Sequence, residues 1–251
     1  MTQLHLTPMK EEHIPFLYEL LNIPEIMDAL HMTPTTMENW QEAYGIWASD
    51  PDEESYIVES GSTPIAWLSL NGLASGITAW IKMLVVHPQH QRAGVGTFAI
   101  AEAEQILKRR IFDKLYIQTT ADNLPAQQCY EKYGFSRIPS VNQGKFIYEK
   151  AVPLNIQTFA ESTDQEATMQ AIFHCDWRAA KFLAQLLKEN RLEEYVGEGT
   201  LYLLWCGTEL AGFIILGKKD GLPDPNRTPW LSFLFVAPAY RGRRLGKRLI
   251  D

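Results

Sequence analysis

The hydrophobic and polar positions of the chain change their period repeatedly, and these changes predict alternating helices and strands. Thr7-Pro8 predicts a helix that runs to about Leu21, because proline is favoured in the first helical turn. Thr35 and Glu38 have capping-box spacing and predict the start of a second helix. Strand periods follow at residues 56–59, 65–70, 79–86 and 115–119, and helical periods at residues 94–110 and 124–133. Asn123 is the predicted cap of the last of these helices, and Gly134 its predicted stop.

The remaining chain continues with a hairpin and then a second, similar succession. The hairpin is predicted from residues 135–138 and 145–149, with a turn at residues 142–144. A strand at residues 156–159 precedes a helical stretch that starts at Ser162-Thr163-Asp164 and reaches about Leu187. Further strands are predicted at residues 201–206, 210–216 and 230–236. The predicted fold class is α/β, in the sense of an α+β arrangement with a mixed sheet.

An internal repeat relates two parts of the chain at a spacing of 150 residues. Five identities fall in one ungapped register around a strand that ends in a proline-containing turn. The pairs are Trp80 and Trp230, Leu84 and Leu234, Val86 and Val236, Pro88 and Pro238, and Gly96 and Gly246. Such self-similarity predicts two tandem copies of one structural unit.

The predicted domains are a complete unit over residues 1–151 and an incomplete one over residues 152–251. In the repeat register Asp251 matches Ala101, so a counterpart of residues 102–150 is absent from the sequence. The chain is then a fragment of a longer tandem protein, or its second unit is a structural pseudo-domain. The fragment is favoured, because a helix that ends after two turns leaves its apolar face without a sheet.

Composition narrows the function classes. The chain is 46% hydrophobic, as globular proteins are, and contains no apolar run near the roughly 18 residues of a membrane span. Neither a signal peptide nor a metal or disulfide pattern among its three cysteines is present, which predicts a cytoplasmic protein without metal and without a membrane partner. Residues 1–60 hold 12 acidic residues against Lys10 alone, a net charge of −11. Such a surface repels phosphate backbones and argues against a nucleic-acid partner.

A glycine-rich turn joins the strand at residues 79–86 to the following helix. It reads Gln91-Arg92-Ala93-Gly94-Val95-Gly96-Thr97. The first amides of a helix lack intrahelical acceptors and carry partial positive charge, so the turn predicts an anion site suited to a pyrophosphate. The lysine and hydroxyl of a Walker loop are not in this turn, and a dinucleotide fingerprint needs a third glycine.

The chain resembles the GNAT superfamily of N-acetyltransferases. Gln91, Gly94 and Gly96 match the Q/R-x-x-G-x-G/A signature of that superfamily. A second motif, with Asn123, Ala126, Tyr130 and Gly134-Phe135, follows at the usual distance. The resemblance covers essentially all of residues 1–150 and, in truncated form, residues 151–251. It implies the GNAT acyl-coenzyme A N-acyltransferase fold in two tandem units, the second truncated.

The resemblance also implies roles for individual residues. Backbone groups of Leu84, Val85 and Val86 lie along the pantetheine of acetyl-coenzyme A, and the amide of Val85 or a neighbour polarises the acetyl carbonyl. Asn123 contacts the pantetheine, and Tyr130 protonates the departing thiolate as a general acid. By itself a tyrosine on a short helix is more often a core residue. The pyrophosphate is held by the amides of Arg92, Ala93, Gly94, Val95, Gly96 and Thr97.

The implied reaction is direct attack of a neutral amine on the acetyl thioester. No base is assigned, because residues 80–84 carry no carboxylate and Gln118 stands where ribosomal-protein alanine acetyltransferases have a glutamate. His87 is a weak candidate. In the family, the first two helices and their connection flank the acceptor entrance. Their acidic residues, with the Asp50–Glu54 cluster, suggest a small cationic amine or a lysine-like peptide group as acceptor, although a solvated acidic surface is the favoured explanation.

Two further functions stay open. The chain is an active acetyltransferase or a regulatory protein that binds acyl-coenzyme A without turnover, and a dinucleotide-binding oxidoreductase is a remote third. In the second unit Arg244 replaces the counterpart of Gly94, beside Arg241 and Arg243. The oligomeric state, a homodimer among the options, is left open.

Overall fold

The computed structural model describes residues 3–139, 144–219 and 228–250. Two compact units divide the chain, Met1–Pro153 and Leu154–Asp251. Within the described residues the first unit contains a seven-stranded sheet and the second a four-stranded sheet. The predicted mixed α/β class is confirmed.

Five α-helices and seven strands form the described part of the first unit. The helices are α1 (Ile14–Leu21), α2 (Pro24–Leu30), α3 (Met37–Ser49), α4 (Val95–Arg109) and α5 (Leu124–Lys132). The strands are β1 (Leu4–Pro8), β2 (Glu54–Ser60), β3 (Thr63–Asn71), β4 (Thr78–Val86), β5 (Lys114–Thr120), β6 (Ser136–Ile138) and β7 (Lys145–Ala151). Their order in the sheet is β1-β2-β3-β4-β5-β7-β6, and the β4–β5 pair is parallel while its neighbours are antiparallel.

Two apolar cores cover the two faces of this sheet. On one face α4 and α5 bury Ile100, Leu107 and Tyr130 against strand residues such as Leu68 and Ile117. On the other face α1, α2 and α3 pack on the sheet. That second core includes Leu17, Leu20, Ile26, Trp40, Ile57, Trp67 and Val85. Side chains that alternate along β4 therefore reach two different layers.

The first predicted helix is wrong at its start. Residues 4–8 form β1, which pairs with β2 from Leu4 opposite Ser60 to Pro8 opposite Tyr56. A short 3-10 turn follows, and α1 begins only at Ile14. The strand forms because of a non-local contact: β1 pairs with β2, about 50 residues away in the chain, and the residues of β1 alone do not indicate this pairing. Pro8 is tolerated at the end of this edge strand because its absent N–H breaks no interior ladder.

The second predicted helix begins one residue later than its cap pattern suggested. The Thr36 hydroxyl accepts from the Asn39 amide at 3.3 Å, which makes Thr36 the cap of α3. Thr35 instead exchanges two hydrogen bonds with the side chain of Asn22, at 3.1 and 3.2 Å. This contact also anchors the segment after α2, a helix that the sequence pattern did not reveal.

The second unit repeats the first half of the first unit. Its strands are β8 (Ile156–Thr158), β9 (Gly199–Cys206), β10 (Glu209–Gly217) and β11 (Trp230–Val236), and its helices are α6 (Gln165–Phe173), α7 (Arg178–Lys188), α8 (Leu192–Val196) and α9 (Leu245–Ile250). The strands lie in the order β11-β10-β9-β8, which matches β4-β3-β2-β1. In each unit three α-helices stand between the first and second strands of the described chain.

The single helical stretch predicted before Leu187 is wrong, because it is split into α6 and α7. α6 ends at Phe173, and Trp177, whose backbone is extended with φ −155°, is the N-cap from which α7 starts. Its indole stacks 5.8 Å from the ring of Phe235 and packs 6.2 Å from Phe213. The core of the second unit is therefore what interrupts the helix. The hairpin between β6 and β7 is confirmed, whereas residues 142–143 of its predicted turn lie outside the described residues.

Candidate functional site

The candidate site lies where β4 and β5 separate. The two strands are paired only from Thr78 opposite Lys114 to Ile81 opposite Ile117. β4 continues to Val86, and within the described residues it forms no further ladder pair with β5. One backbone edge of β4 therefore borders a cleft.

The backbone direction of β4 determines which groups face this cleft. The His87 amide donates to the Ile65 carbonyl at 2.9 Å, so it points to β3. Because N–H groups alternate sides along a strand, the Val85 amide also points to β3. The amides of Leu84 and Val86 point the other way, towards the cleft.

The turn after β4 is tied to the strand by a side chain. Gln91 donates from Nε2 to the Val86 carbonyl at 3.1 Å. Arg92 and Gly94 have left-handed backbones, with φ of 60° and 85°, and the helix then begins at Val95. The signature glutamine thus sets the distance between the end of β4 and the start of α4.

The start of α4 presents donors without acceptors. Its first backbone hydrogen bond runs from the Phe98 amide to the Gly94 carbonyl at 2.9 Å. Among the described residues, the amides of residues 92–97 donate no hydrogen bond. α4 has 15 residues, so its N-terminus carries the partial positive charge of a full helix dipole. These features form an anion site.

The two glycines of the turn serve different purposes. A Cβ added to Gly94 would meet no atom within 4 Å, so this position needs glycine for its left-handed φ. Gly96 is helical, and a Cβ there would lie 4.0 Å from a methyl carbon of Val86. Glycine at position 96 therefore leaves the backbone open to a ligand and satisfies no conformational need.

Asn123 is the N-cap of α5, as its sequence position predicts. Its Oδ1 accepts from the Ala126 amide at 3.2 Å. Within the described chain its Nδ2 donates no hydrogen bond, so the side chain keeps two N–H donors. The cap fixes where α5 leaves the end of β5.

Tyr130 lies on α5 in the core beneath the cleft and is only 8% exposed. Its ring packs 5.7 Å from that of Tyr148 and 6.2 Å from that of Phe135. Burial raises the pKa of the Tyr130 hydroxyl, and the nearby Cys129 and Tyr148 add to the increase. The hydroxyl forms no hydrogen bond with other described residues. It is therefore neutral at physiological pH.

A polar network holds α5 in this position. The Tyr133 hydroxyl donates to Glu104 Oε2 at 2.9 Å, and Lys150 Nζ pairs with the same oxygen at 2.6 Å. Lys150 also lies 4.1 Å from the centre of the Tyr133 ring. The network joins α5 to α4 and β7 through partly buried charges.

The acidic residues near position 50 are mostly engaged in structural contacts. Asp52 accepts from the amides of Gly72 and Ala74 at 3.0 and 2.8 Å. Glu54 forms a two-pronged pair with Arg110 at 2.8 and 2.9 Å. These carboxylates stabilise the loop before β4 and the end of α4, so the predicted acidic acceptor surface is smaller than the sequence suggested.

The sequence raised two residues in the search for a base: His87 as a weak candidate, and Gln118 at the position where some relatives have a glutamate. His87 Nδ1 accepts from the Gln89 amide at 3.3 Å, which makes His87 a cap of the turn. Gln118 is exposed on β5, beyond the last residue paired with β4.

Lys82 is the polar residue of β4 that sequence reasoning passed over. A β-bulge leaves it between Ile81, opposite Leu70, and Met83, opposite Ser69. Its ammonium pairs with Glu53 and lies 5.6 Å from the centre of the Trp47 ring. A lone charge in an apolar strand was the available signal, but neither the bulge nor the partner follows from local sequence.

Comparison with known proteins assigns the chain to a family. The model of the acetyltransferase (GNAT) family matches residues 14–135 and 164–251. The chain belongs to this GNAT family. No curated protein sequence matches the chain.

Solved GNAT acetyltransferases share the fold at low sequence identity. An acetyltransferase from Thermus thermophilus has a TM-score of 0.54 at 20% identity, over 59% of this chain and 97% of its own. A spermidine N-acetyltransferase from Vibrio cholerae, in complex with CoA and spermine, has a TM-score of 0.54 at 20% identity, over 61% and 97%. The aminoglycoside acetyltransferase AAC(6')-Ib, in complex with coenzyme A, has a TM-score of 0.53 at 24% identity, over 59% and 95%. The predicted GNAT fold is confirmed, and two matched segments agree with tandem units.

The GNAT turn recurs in the second unit with its glycine displaced. Arg241 Nε donates to the Val236 carbonyl at 3.1 Å, as Gln91 does to Val86 in the first unit. Gly242 and Arg244 have φ of 82° and 55°, so the two left-handed positions are kept. The glycine now occupies the first of them. The backbone path is therefore the same in both units. The non-glycine residue with a strained left-handed φ is at the first of the two positions in the first unit and at the second position in the second unit.

The described residues contain neither a membrane-spanning helix nor a group of metal ligands. None of the described helices is long and apolar enough to span a membrane. In the same part of the chain, no group of three or more His, Cys, Asp or Glu residues is placed to hold a metal ion.

Replacing each of the two turn glycines by alanine tests whether glycine is needed for its left-handed backbone or for the room that it leaves. We expect Gly94→Ala to lower the free energy of unfolding by about 1 to 2 kcal/mol, because alanine is forced into the left-handed region. Gly96→Ala is the matched control and should stabilise α4 by about 0.5 to 1 kcal/mol, since its Cβ has room. Urea denaturation followed by circular dichroism measures both. Equal effects of the two variants would show that the φ of Gly94 is not the constraint.

Proposed function

We propose that this GNAT protein is an acetyl-coenzyme A-dependent N-acetyltransferase whose chemistry takes place in the first unit. The observation that carries the proposal is the cleft between β4 and β5, which ends at the donors of the α4 turn. A free strand edge followed by an anion site suits a linear ligand whose amide-bearing arm lies along the strand and whose pyrophosphate reaches the anion site.

The proposed ligand contacts follow the cleft from end to end. The amides of residues 92–97 bind the pyrophosphate. The pantetheine lies along residues 84–86, and Asn123 Nδ2 donates to it from the opposite side. Since the Val85 amide points to β3, the amide of Leu84 or Val86 is proposed to polarise the acetyl carbonyl.

Transfer is proposed to occur by direct attack. The lone pair of a neutral primary amine attacks the acetyl carbonyl carbon, and the carbon–sulfur bond breaks as the amide forms. The sulfur takes a proton from the Tyr130 hydroxyl, whose raised pKa keeps it protonated. The ammonium form of the acceptor loses one proton to solvent before attack. The attacking nitrogen loses a second proton as the amide forms, and this proton replaces, through solvent, the one that Tyr130 gave to the sulfur. No side chain is assigned as the base.

The acceptor is proposed to be a small cationic amine. The 3-10 turn before α1 and the helices α1, α2 and α3, which are proposed to flank the cleft, keep six carboxylates that form no salt bridge within the described chain, on residues Glu11, Glu19, Glu25, Asp28, Glu38 and Glu42. Their field attracts cations. The fold neighbours named for spermidine and aminoglycoside substrates, both cationic amines, agree with this choice.

The second candidate is a protein that binds acyl-coenzyme A without transferring the acyl group. It is favoured by β4, which carries Lys82 in its bulge and no carboxylate. Such a protein would use the cleft for regulation.

Calorimetry and thiol release together distinguish the two functions. We expect acetyl-coenzyme A to bind in a one-to-one complex, and free thiol to appear when a cationic amine is added. Putrescine, spermidine and an aminoglycoside are compared with neutral and acidic amines. Binding without thiol release on any amine would establish the second candidate, and a preference for acidic amines would contradict the proposed acceptor.

Replacing Tyr130 tests the proposed general acid. We expect Tyr130→Phe to lower kcat by about a hundredfold, because the thiolate then leaves without a proton donor. The dissociation constant of acetyl-coenzyme A should stay within about twofold. Tyr133→Phe, a change on the residue that follows the same helix, removes only the hydrogen bond to Glu104 and serves as control. An unchanged kcat in Tyr130→Phe would exclude this role.

The pH dependence follows from the raised pKa of Tyr130. A neutral general acid keeps its proton, so kcat should not decline until the pH exceeds about 10, the ordinary pKa of tyrosine. Stability behaves in the same direction, because the contribution of neutral Tyr130 is complete below that pH and is lost as the pH rises through the folded-state pKa. A pH profile of kcat measures this. A descending limb below about pH 9 that vanishes in Tyr130→Phe would contradict the prediction.

A further inference from the structure

A bulge on the acceptor side of β4 holds an ammonium in a constructed environment. Lys82 is the extra residue of this bulge, and its side chain lies on the face covered by α3. The Lys82 ammonium pairs with the Glu53 carboxylate and lies over Trp47 at 5.6 Å from the ring centre. A carboxylate combined with an indole face is the arrangement by which proteins recognise ammonium groups.

The two recognising side chains are held in place by other contacts. Trp47 stacks on Trp67, with ring centres 5.7 Å apart and planes 24° apart. Trp40 packs edge-on against Trp67 at 6.4 Å. The Glu53 side chain is 13% exposed, and its Oε2 has no hydrogen-bond partner among the described residues. The carboxylate therefore retains capacity for a second N–H donor.

A cavity of about 420 Å³ adjoins the same two side chains. Its wall includes Met9, Tyr44 and Trp47, which suit a hydrocarbon chain, and Glu53. Glu54 and Arg110, also in the wall, neutralise each other as a pair. The remaining formal charge of the wall is that of Glu53, which the Lys82 ammonium balances from outside the wall. The cavity therefore suits a cation with an apolar body once that ammonium is displaced.

The site is close to the proposed point of reaction. Lys82, whose ammonium pairs with Glu53, precedes Leu84 by two residues, at most about 7 Å along the strand. An acceptor with two amino groups is therefore proposed to place one near Leu84 and the other at the position that the Lys82 ammonium now holds. An acceptor with a single amino group has nothing to place there.

We propose that Trp47 and Glu53 form a subsite for the distal ammonium of a diamine or polyamine, and that Lys82 occupies it until such an acceptor displaces its ammonium. The inference rests on the proposed function, because it concerns the acceptor of that reaction. Lys82 acts as a tethered competitor, so it weakens the binding of acceptors that use this subsite and leaves the binding of monoamines unchanged.

The test measures amine binding to the full chain by calorimetry in the presence of coenzyme A. Putrescine is the probe with two amino groups, and butylamine is the matched monoamine. The variants are Lys82→Met, Glu53→Gln and their combination. Glu59→Gln is the control, since Glu59 lies on β2, the strand that begins directly after Glu53, and pairs with His5 away from the cavity.

We expect Lys82→Met to tighten putrescine binding about fivefold and Glu53→Gln to weaken it about fivefold, each roughly 1 kcal/mol. Butylamine binding and the control variant should change less than about twofold. In the double variant the gain from Lys82→Met should vanish, because the competitor and its ligand are coupled through Glu53. Lys82→Met leaves a partly buried carboxylate, so thermal unfolding verifies its fold, and the Glu53→Gln comparison stands without it.

The proposal is overturned if Glu53→Gln changes putrescine and butylamine binding equally, or if folded Lys82→Met binds putrescine no more tightly than the native chain. The measurement needs no turnover. Absence of thiol release with every amine would refute the proposed acetyl transfer and leave the binding differences to be judged on their own.

Discussion

The separation of β4 from β5 after Ile81 is the constraint on which the rest of the first unit depends. A sheet that stayed paired would consume the backbone groups of Leu84 and Val86, and no cleft would exist. Separation leaves the Leu84 and Val86 amides facing the cleft. The turn ties Gln91 to the Val86 carbonyl and starts α4 immediately beyond it. A strand edge and a helix N-terminus are thereby joined into one extended polar surface.

The duplicated turn shows which parts of this arrangement are geometric. Both units keep two left-handed residues and a side chain bonded to the strand-end carbonyl, although glutamine is exchanged for arginine. The glycine moves between the two left-handed positions. The path of the backbone is therefore set by the strand, the bond to its last carbonyl and the helix that follows, while the position of glycine decides where backbone strain and side-chain bulk are placed.

Tertiary contacts also decide which of the acidic residues are engaged in structural interactions. The excess of acid in the first 60 residues looks uniform in the sequence, yet Asp52, Glu53 and Glu54 are bound to a loop, to the β4 bulge and to the end of α4. The carboxylates of Glu11, Glu19, Glu25, Asp28, Glu38 and Glu42, in the helical segments before β2, form no such salt bridge within the described chain. Around Tyr130 the charges are structural too, since Glu104 and Lys150 orient the helix that carries it.

Local chemistry was sufficient for the elements whose signals are local. The Gln91 to Gly96 turn, the Asn123 cap and the Gly134 helix stop, with φ 94°, depend on a few neighbouring residues, and the sequence by itself determined them, together with the family and the repeat. It could not show that residues 4–8 form a strand, that Trp177 interrupts a helix, or that Lys82 meets Glu53, because each depends on a partner distant in the chain. Tertiary structure alone decided where β4 leaves β5. The ladder between two strands ends where the surrounding packing no longer holds them together, and no single residue of the sequence marks that point.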